Sequence, residues 1–332
     1  MRTGVSEPAG DDLRVGLDLG GSKVLGVLLE GDTVRRTLRV PTDLGAEGVV
    51  GSAAGVVAGL CEAAGVVPAQ LAGVGMALPG IVDPVTGTVS HAVNLRMDLP
   101  DVPVGALLAE RLGGVPVTVE NDLNAAALGA AETLGYSDMA YLALGTGLAA
   151  GLLLDGRLRR GHAGAAGEVG HLPYRPGGLP CACGQLGCLE MYASGSALDA
   201  AWPSRTGAPS PVEVFAAAAE GDPHAVAIRD TFADAAATAV RFLVMTFDVA
   251  HVVLGGGVAN LGEQLVRHVR DAVVGQLAGS SLLAALGIPE RVELTPAGVP
   301  VGAVGAALAT RGTASGTASV AGPAGGPVGV VG

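Results

Sequence analysis

Apolar positions along this chain fall into short runs separated by glycine turns, and their spacing sets the expected elements. Residues 13–19 (LRVGLDL), 24–29 and 34–40 are apolar runs, with Gly20-Gly21-Ser22-Lys23 after the first and Glu30-Gly31-Asp32 after the second. Runs this short, bounded by such turns, predict a three-stranded antiparallel meander. The period then changes: within 47–65, Val49, Val50, Val56, Val57 and Leu60 predict a helix. A strand over 71–78 ends at Pro79-Gly80, and 80–100 reads as a loop with one small hairpin. Val104, Leu107, Leu108 and Leu112 predict a helix over 104–113. The β-branched run 115–119 predicts a strand that delivers Glu120-Asn121-Asp122 into a helix over 125–134.

The plan then repeats. Tyr141–Leu144, Gly145-Thr146-Gly147, Leu148–Leu154, Asp155-Gly156 and a run from Leu158 give a second meander. Residues 211–248 read as helical, with Phe215, Ile228, Phe232, Val240, Leu243 and Phe247 as core. His251–Leu254 is a strand entering Gly255-Gly256-Gly257, followed by a helix over 260–276, a strand over 292–298 and a closing helix over 301–310. Two glycine-turn meanders, each continued by helices and strands, predict duplicated α/β domains with a ligand cleft between them. Residues 13–122 with 299–311 are assigned to an N-terminal domain, and 123–298 to a C-terminal one. Residues 1–12 and the uncharged Gly/Ala/Ser/Thr/Pro/Val stretch 312–332 have no periodicity and are expected to be disordered.

Composition narrows the classes. The 332 residues carry 19 Lys and Arg against 31 Asp and Glu, a net charge of −12, which argues against a nucleic-acid partner. No uninterrupted apolar run reaches the roughly 18 residues of a membrane span, and the first dozen residues lack a secretory apolar core. The expectation is a soluble cytoplasmic protein, in which clustered cysteines favour metal over disulfides. Cys61, alone in an apolar helical stretch, reads as a core residue.

The candidate chemistry concentrates between Gly161 and Glu190. Cys181, Cys183 and Cys188 lie within eight residues, and His171 stands ten positions before the first of them. Three thiolates and an imidazole at this spacing suit a tetrahedral zinc site with no open position, a structural staple over loop 171–188. Glu168 and Glu190 flank the ligands and are free to accept hydrogen bonds from sugar hydroxyls. Asp18-x-Gly20-Gly21-Ser22-Lys23 reads either as a plain hairpin turn or as a phosphate turn in which Asp18 faces Mg²⁺ and Lys23 adds charge. Gly255–Gly257 is a third turn able to take a nucleoside or its phosphates. Asp122, at a strand mouth, is a candidate general base with Asn121 as a substrate-holding amide. Helix capping by Asn121, Asp122 or Asn124 fits the same residues. Asn94 is a polar residue of the 80–100 loop within reach of a ligand.

Together these motifs resemble the ROK family of sugar kinases, in the actin-like superfamily, over residues 13–311. The resemblance rests on Asp18 to Lys23, Leu78-Pro79-Gly80, Glu120 to Ala126, Leu144 to Gly147, Gly167-Glu168-Val169-Gly170-His171, the Cys181 to Glu190 run, and Leu254 to Gly257. It implies two actin-like (ribonuclease H-like) α/β domains flanking an interdomain cleft, with a zinc-stapled loop. It implies ATP-dependent phosphorylation of a hexose, at O6 of glucose, with Asp122 as base. Asn94, Asn121, Asp122, Glu168, His171 and Glu190 would hold the sugar. Asp18, Gly20, Gly21, Ser22, Lys23, Gly145, Thr146, Gly147, Gly255, Gly256 and Gly257 would hold ATP and Mg²⁺, and a homodimer or higher homo-oligomer is expected. One departure stands out: Ala149-Ala150 replaces glycines usual in the family, and each Cβ is expected to crowd a phosphate. The alternatives are an N-acetylmannosamine or fructose kinase, or a non-catalytic sugar-sensing regulator. A DNA-binding repressor is disfavoured, since about 12 residues precede the first strand.

Overall fold

The computed structural model describes residues 12–311, so the expected disordered ends lie outside it apart from Asp12. The first half runs β1 (Leu13–Leu19), β2 (Lys23–Glu30), β3 (Thr33–Pro41), α1 (Ala46–Ala64), β4 (Gly73–Leu78), β5 (Ile81–Asp83), β6 (Thr88–Ser90), α2 (Val104–Arg111) and β7 (Val117–Asn121). The second runs α3 (Asp122–Leu134), β8 (Met139–Leu144), β9 (Leu148–Leu154), β10 (Arg157–Leu158), α4 (Gly195–Ala201), α5 (Ser210–Ala219) and α6 (Pro223–Phe247). It closes with β11 (His251–Gly255), α7 (Glu263–Leu277), α8 (Ser281–Ala284), β12 (Val292–Leu294) and α9 (Val301–Ala309).

The strands form two five-stranded sheets ordered β3-β2-β1-β4-β7 and β10-β9-β8-β11-β12. In each, the three meander strands pair antiparallel and the last two join in parallel. The second meander turns at Asp155-Gly156, both in the left-handed region, which matches the right-handed twist of the strands it joins. The expected duplication is therefore present, strand for strand. A separate β5–β6 hairpin supplies the one expected over 80–100.

Each sheet is covered on both faces. Helix α1 has the length and hydropathy of a membrane span, but Val49, Val50, Ala53, Val56, Val57, Leu60 and Cys61 bury its apolar stripe against the first sheet. It is a core helix, and Cys61 is the core residue expected. The opposite face of that sheet is covered by α9, and α3 covers the second sheet on the side away from α4–α7. Thus the helix that follows the first sheet packs on the second, and the helix that ends the second packs on the first. Glycines permit this exchange. A Cβ on Gly16 or Gly75 would stand 1.9 or 1.8 Å from the α9 carbonyls of Ala303 and Ala306. Gly129 and Gly305 bring α3 and α9 together just as closely, at 2.0 Å from Val301 O and 1.7 Å from Ala125 O.

Several boundaries differ from the pattern-based expectation for local reasons. The 71–78 strand starts at Gly73, after a 3₁₀ turn at Pro68–Gln70. The 115–119 strand shifts to 117–121, and its helix starts at Asp122 because Asn121 caps it there. Residues 211–248 break at Gly221 (φ 91), where Asp222 caps α6 with Pro223 in its first turn. The 260–276 helix starts at Glu263, after a 3₁₀ turn over Gly257–Leu261. The 292–298 strand stops at Leu294, ahead of Pro296 and Gly298 (φ 76).

Candidate active site

Strand β7 runs directly into α3, and three consecutive polar side chains build the turn. Asn121 is the cap: its Oδ1 accepts from Leu123 N (3.0 Å) and Asn124 N (3.2 Å), while its Nδ2 donates to Gly80 O (3.2 Å). Glu120, buried, accepts from Asn121 N and Asn124 Nδ2. Asp122, not used as the cap, lines the cleft with its carboxylate and accepts from Leu123 N at 2.9 Å. Burial pushes its carboxyl up to about 6, with repulsion from Asp18 adding to the rise, the Leu123 N–H opposing it, and Glu168 adding a smaller repulsion. Asp18, one residue before the end of β1, is also raised by burial, against the pull of Lys23. Gly302, in the first turn of α9, is pressed against Asp18: a Cβ there would stand 2.8 Å from Oδ2.

The second sheet supplies the facing wall. Leu148 N, after the Gly145–Gly147 turn, donates to Glu190 Oε2 at 2.9 Å, and a Cβ on Gly147 would stand 2.5 Å from that oxygen. Glu168 is set by backbone-to-backbone packing of its loop on β9. Cβ atoms on Gly167 (φ 95) and Gly170 would fall 1.8 Å from Ala150 O and 2.0 Å from Leu148 O, and Ala150 N donates to Gly167 O at 2.8 Å. The G-E-x-G-H spacing is therefore a docking pattern: two bare positions seat the loop, and Glu168 and His171 project from it.

Behind Glu168, the ligating atoms of His171, Cys181, Cys183 and Cys188 all lie within 4.8 Å of one another. His171 Nδ1 is 3.6 Å from Cys181 Sγ, and Cys183 Sγ is 3.7 Å from Cys188 Sγ. A tetrahedral zinc ion would set these separations at about 3.6 Å for N···S and about 3.8 Å for S···S, so the donors fit that ion. The other imidazole nitrogen, Nε2, lies 3.9 Å from Glu168 Oε2, so the ring joins the cysteine cluster to the cleft.

Of the expected site residues, Asp18, Lys23, Asn94, Asp122, Gly145, Thr146, Gly147, Glu168, Glu190, Gly256 and Gly257 line one cleft of about 660 Å³ fed by both sheets. The others stand behind it. Asn121 is occupied as the cap. Gly21 holds the Asn94 loop, since a Cβ would stand 2.7 Å from Asn94 O. Gly20 O and Ser22 O accept from the side chain and N–H of Thr42. Gly255 packs on Tyr141, whose hydroxyl would lie 2.0 Å from a Cβ there. His171 reaches the cleft only through Glu168.

The alanine departure resolves by strand alternation. Ala150 points into the core and is 3 % exposed, while Ala149 lines the cleft beside its cross-strand partner Ala143. Only one of the two methyl groups faces the cleft, not both as expected. Tyr141 and Asn260 also line the cleft and were not found by pattern; burial raises the Tyr141 hydroxyl pKa. A tyrosine in an apolar strand carries no sequence signal that separates it from core.

The Glu190 contact makes a prediction. Gly147→Ala is expected to push the Glu190 carboxylate aside, at little cost to folding, because the obstructing atom ends a flexible side chain. Losing one hydrogen bond to a charged group amounts to about 10–100-fold in affinity. The sugar KM should rise by that order while bound-metal content, read by mass spectrometry, stays constant. An unchanged KM would overturn the expectation that Glu190 holds sugar.

Comparison with known proteins places the chain in a family. The model of the ROK family matches residues 14–311. A glucokinase from Streptomyces coelicolor is 34% identical over 291 residues, 81% of this chain and 89% of that one. A ROK hexokinase from Thermus thermophilus superposes with a TM-score of 0.75 at 33% identity, covering 91% of this chain and 99% of that one. A ROK family glucokinase from Streptomyces griseus, in complex with glucose and AMPPNP, gives 0.73 at 32%, over 90% and 99%.

Proposed function

The chain belongs to the ROK family, and from that premise we propose that it is a kinase moving the γ-phosphoryl group of ATP to a hexose hydroxyl, O6 of glucose. The observation that carries this reading is Asp122: a carboxylate freed from capping, raised to about 6, and facing Glu168 and Glu190 across one cleft. A base with a pKa just below neutrality is deprotonated in working conditions yet still draws a hydroxyl proton as bonding to phosphorus begins. Asp122 takes that proton while the sugar oxygen attacks in line. Asn94, Glu168 and Glu190 fix the other hydroxyls, so that one oxygen is presented to the phosphate. The turns at Gly145–Gly147 and Gly256-Gly257, with Lys23 and the N-terminal end of α9, receive the anionic nucleotide.

Two metals are implied. Asp18, a half-buried carboxylate lining the cleft beside Lys23, fits a Mg²⁺ or its bound water, and the ion would neutralise charge on the transferring group. The cluster of three cysteines and a histidine fits zinc, whose four protein ligands leave no position for chemistry. There it would fix the loop between Glu168 and Glu190.

The test is ADP release from Mg·ATP with glucose, N-acetylmannosamine, mannose, fructose, N-acetylglucosamine and allose, against a control without sugar. The expected outcome is turnover led by glucose. Silence across the panel, with sugar binding still visible by calorimetry, would replace the kinase with a sugar sensor.

A further inference from the structure

Glu120 is the one acidic side chain among the described residues that is fully buried, 2 % exposed, and the mechanism above gives it no role. Its Oε1 accepts from Asn121 N and Asn124 Nδ2, both at 3.0 Å. Its Oε2 accepts from Arg160 Nε at 2.9 Å and Arg160 Nη2 at 2.5 Å. The counter-ion comes from the opposite half of the molecule, since Arg160 follows β10 of the second sheet. Arg160 also holds its own loop: its carbonyl accepts from Ala166 N at 3.1 Å, and Gly167, where that loop docks on β9, comes next. Glu168 follows immediately. One ion pair therefore joins the turn that carries Asp122 to the loop that carries Glu168.

We infer that Glu120 and Arg160 are a positioning pair, which sets the Asp122 carboxylate of one half against the Glu168 carboxylate of the other. A buried carboxylate loses its compensation when such a partner leaves, so separating the two segments is opposed by the stranded charge. The planar guanidinium also fixes direction as well as distance, which an ammonium does not. Misplacing a reacting group by about 1 Å costs on the order of 10²-fold in rate.

The inference rests on the kinase reading, and the test separates the two. Arg160→Met is expected to lower kcat/KM for glucose by on the order of 10²-fold, with the glucose KM raised and the ATP KM unchanged. Amide hydrogen exchange should speed up over residues 121–124 and 161–168, while β8 and β9 keep their protection. Arg160→Lys should remain impaired, because it restores charge without the fork. Should Arg160→Met fold poorly, the Glu120→Gln/Arg160→Met double variant removes both charges, and its glucose kinetics should be no worse than those of Glu120→Gln alone. Unchanged exchange in both segments, a uniform rise throughout the chain, or strictly additive losses would overturn the pairing. A parent enzyme silent on every sugar of the panel would sink the kinase reading by itself, and the exchange comparison would still decide the pair.

Discussion

Replacing Asp122 with asparagine is expected to remove about 10²–10⁴-fold of the turnover, the usual contribution of a general base, while sugar and nucleotide still bind. Asparagine keeps the Oδ1 that accepts from Leu123 N, so the start of α3 is undisturbed. In the parent protein, kcat/KM should climb as pH rises through about 6, because only the deprotonated carboxylate accepts the hydroxyl proton. A second effect has the opposite sign. The folded-state pKa of Asp122 is raised, so the fold favours its protonated form. Stability linked to this group is full below the unfolded value near 3.8 and is lost as pH rises through about 6. A shift of this size corresponds to about 2–3 kcal/mol. Asp122→Asn should therefore be nearly inactive and also more heat-stable than the parent at pH 7, with the stability difference vanishing below about pH 4. Calorimetric melting at the two pH values, beside steady-state kinetics, checks both halves. A variant with full turnover would reduce Asp122 to a structural residue.

The second large effect is expected at the cysteine cluster. Cys183 is its exposed member, so Cys183→Ser leaves the core packing in place and tests the metal alone. Loss of a direct ligand should cost at least the 10–100-fold in metal affinity that loss of a supporting hydrogen bond costs. Zinc would then leave to a mild chelator. Glu190 stands two residues beyond Cys188, and Glu168 lies beside His171, so the sugar KM should rise on the order of tenfold or more as the metal leaves. Zinc content by mass spectrometry and sugar KM, measured on the same samples, should move together. A zinc-free protein with the parent KM would show that the glycine docking of Gly167 and Gly170 holds the loop unaided.

Much of this was legible from residue order, for identifiable reasons. The two meanders were readable because their strands are short and their turns are glycine-rich. The cysteine cluster was readable because scarce residues at ligand spacing leave few alternatives. Capping and catalysis could not be told apart at Asn121 and Asp122, since both use the same residue types. The hydrogen bonds of Asn121 assign the cap to it, and the kinetics of Asp122→Asn decide the other role. The opposite faces of Ala149 and Ala150 followed from strand alternation, but only once the register of β9 was known. The role of Glu120 is not legible in its motif, because its partner lies 40 positions away, in a loop with no pattern of its own.

The exchange of α3 and α9 between the sheets bears on how the chain is made. Residues up to 134 leave the ribosome with one face of the first sheet still bare, because its cover, α9, is the last described helix of the chain. At about 5–20 residues per second, that face waits on the order of ten seconds or more for its partner. Neither half can finish alone, so the last step of folding should wait until α9 has been made, and fragments cut after α3 should seek chaperones rather than fold.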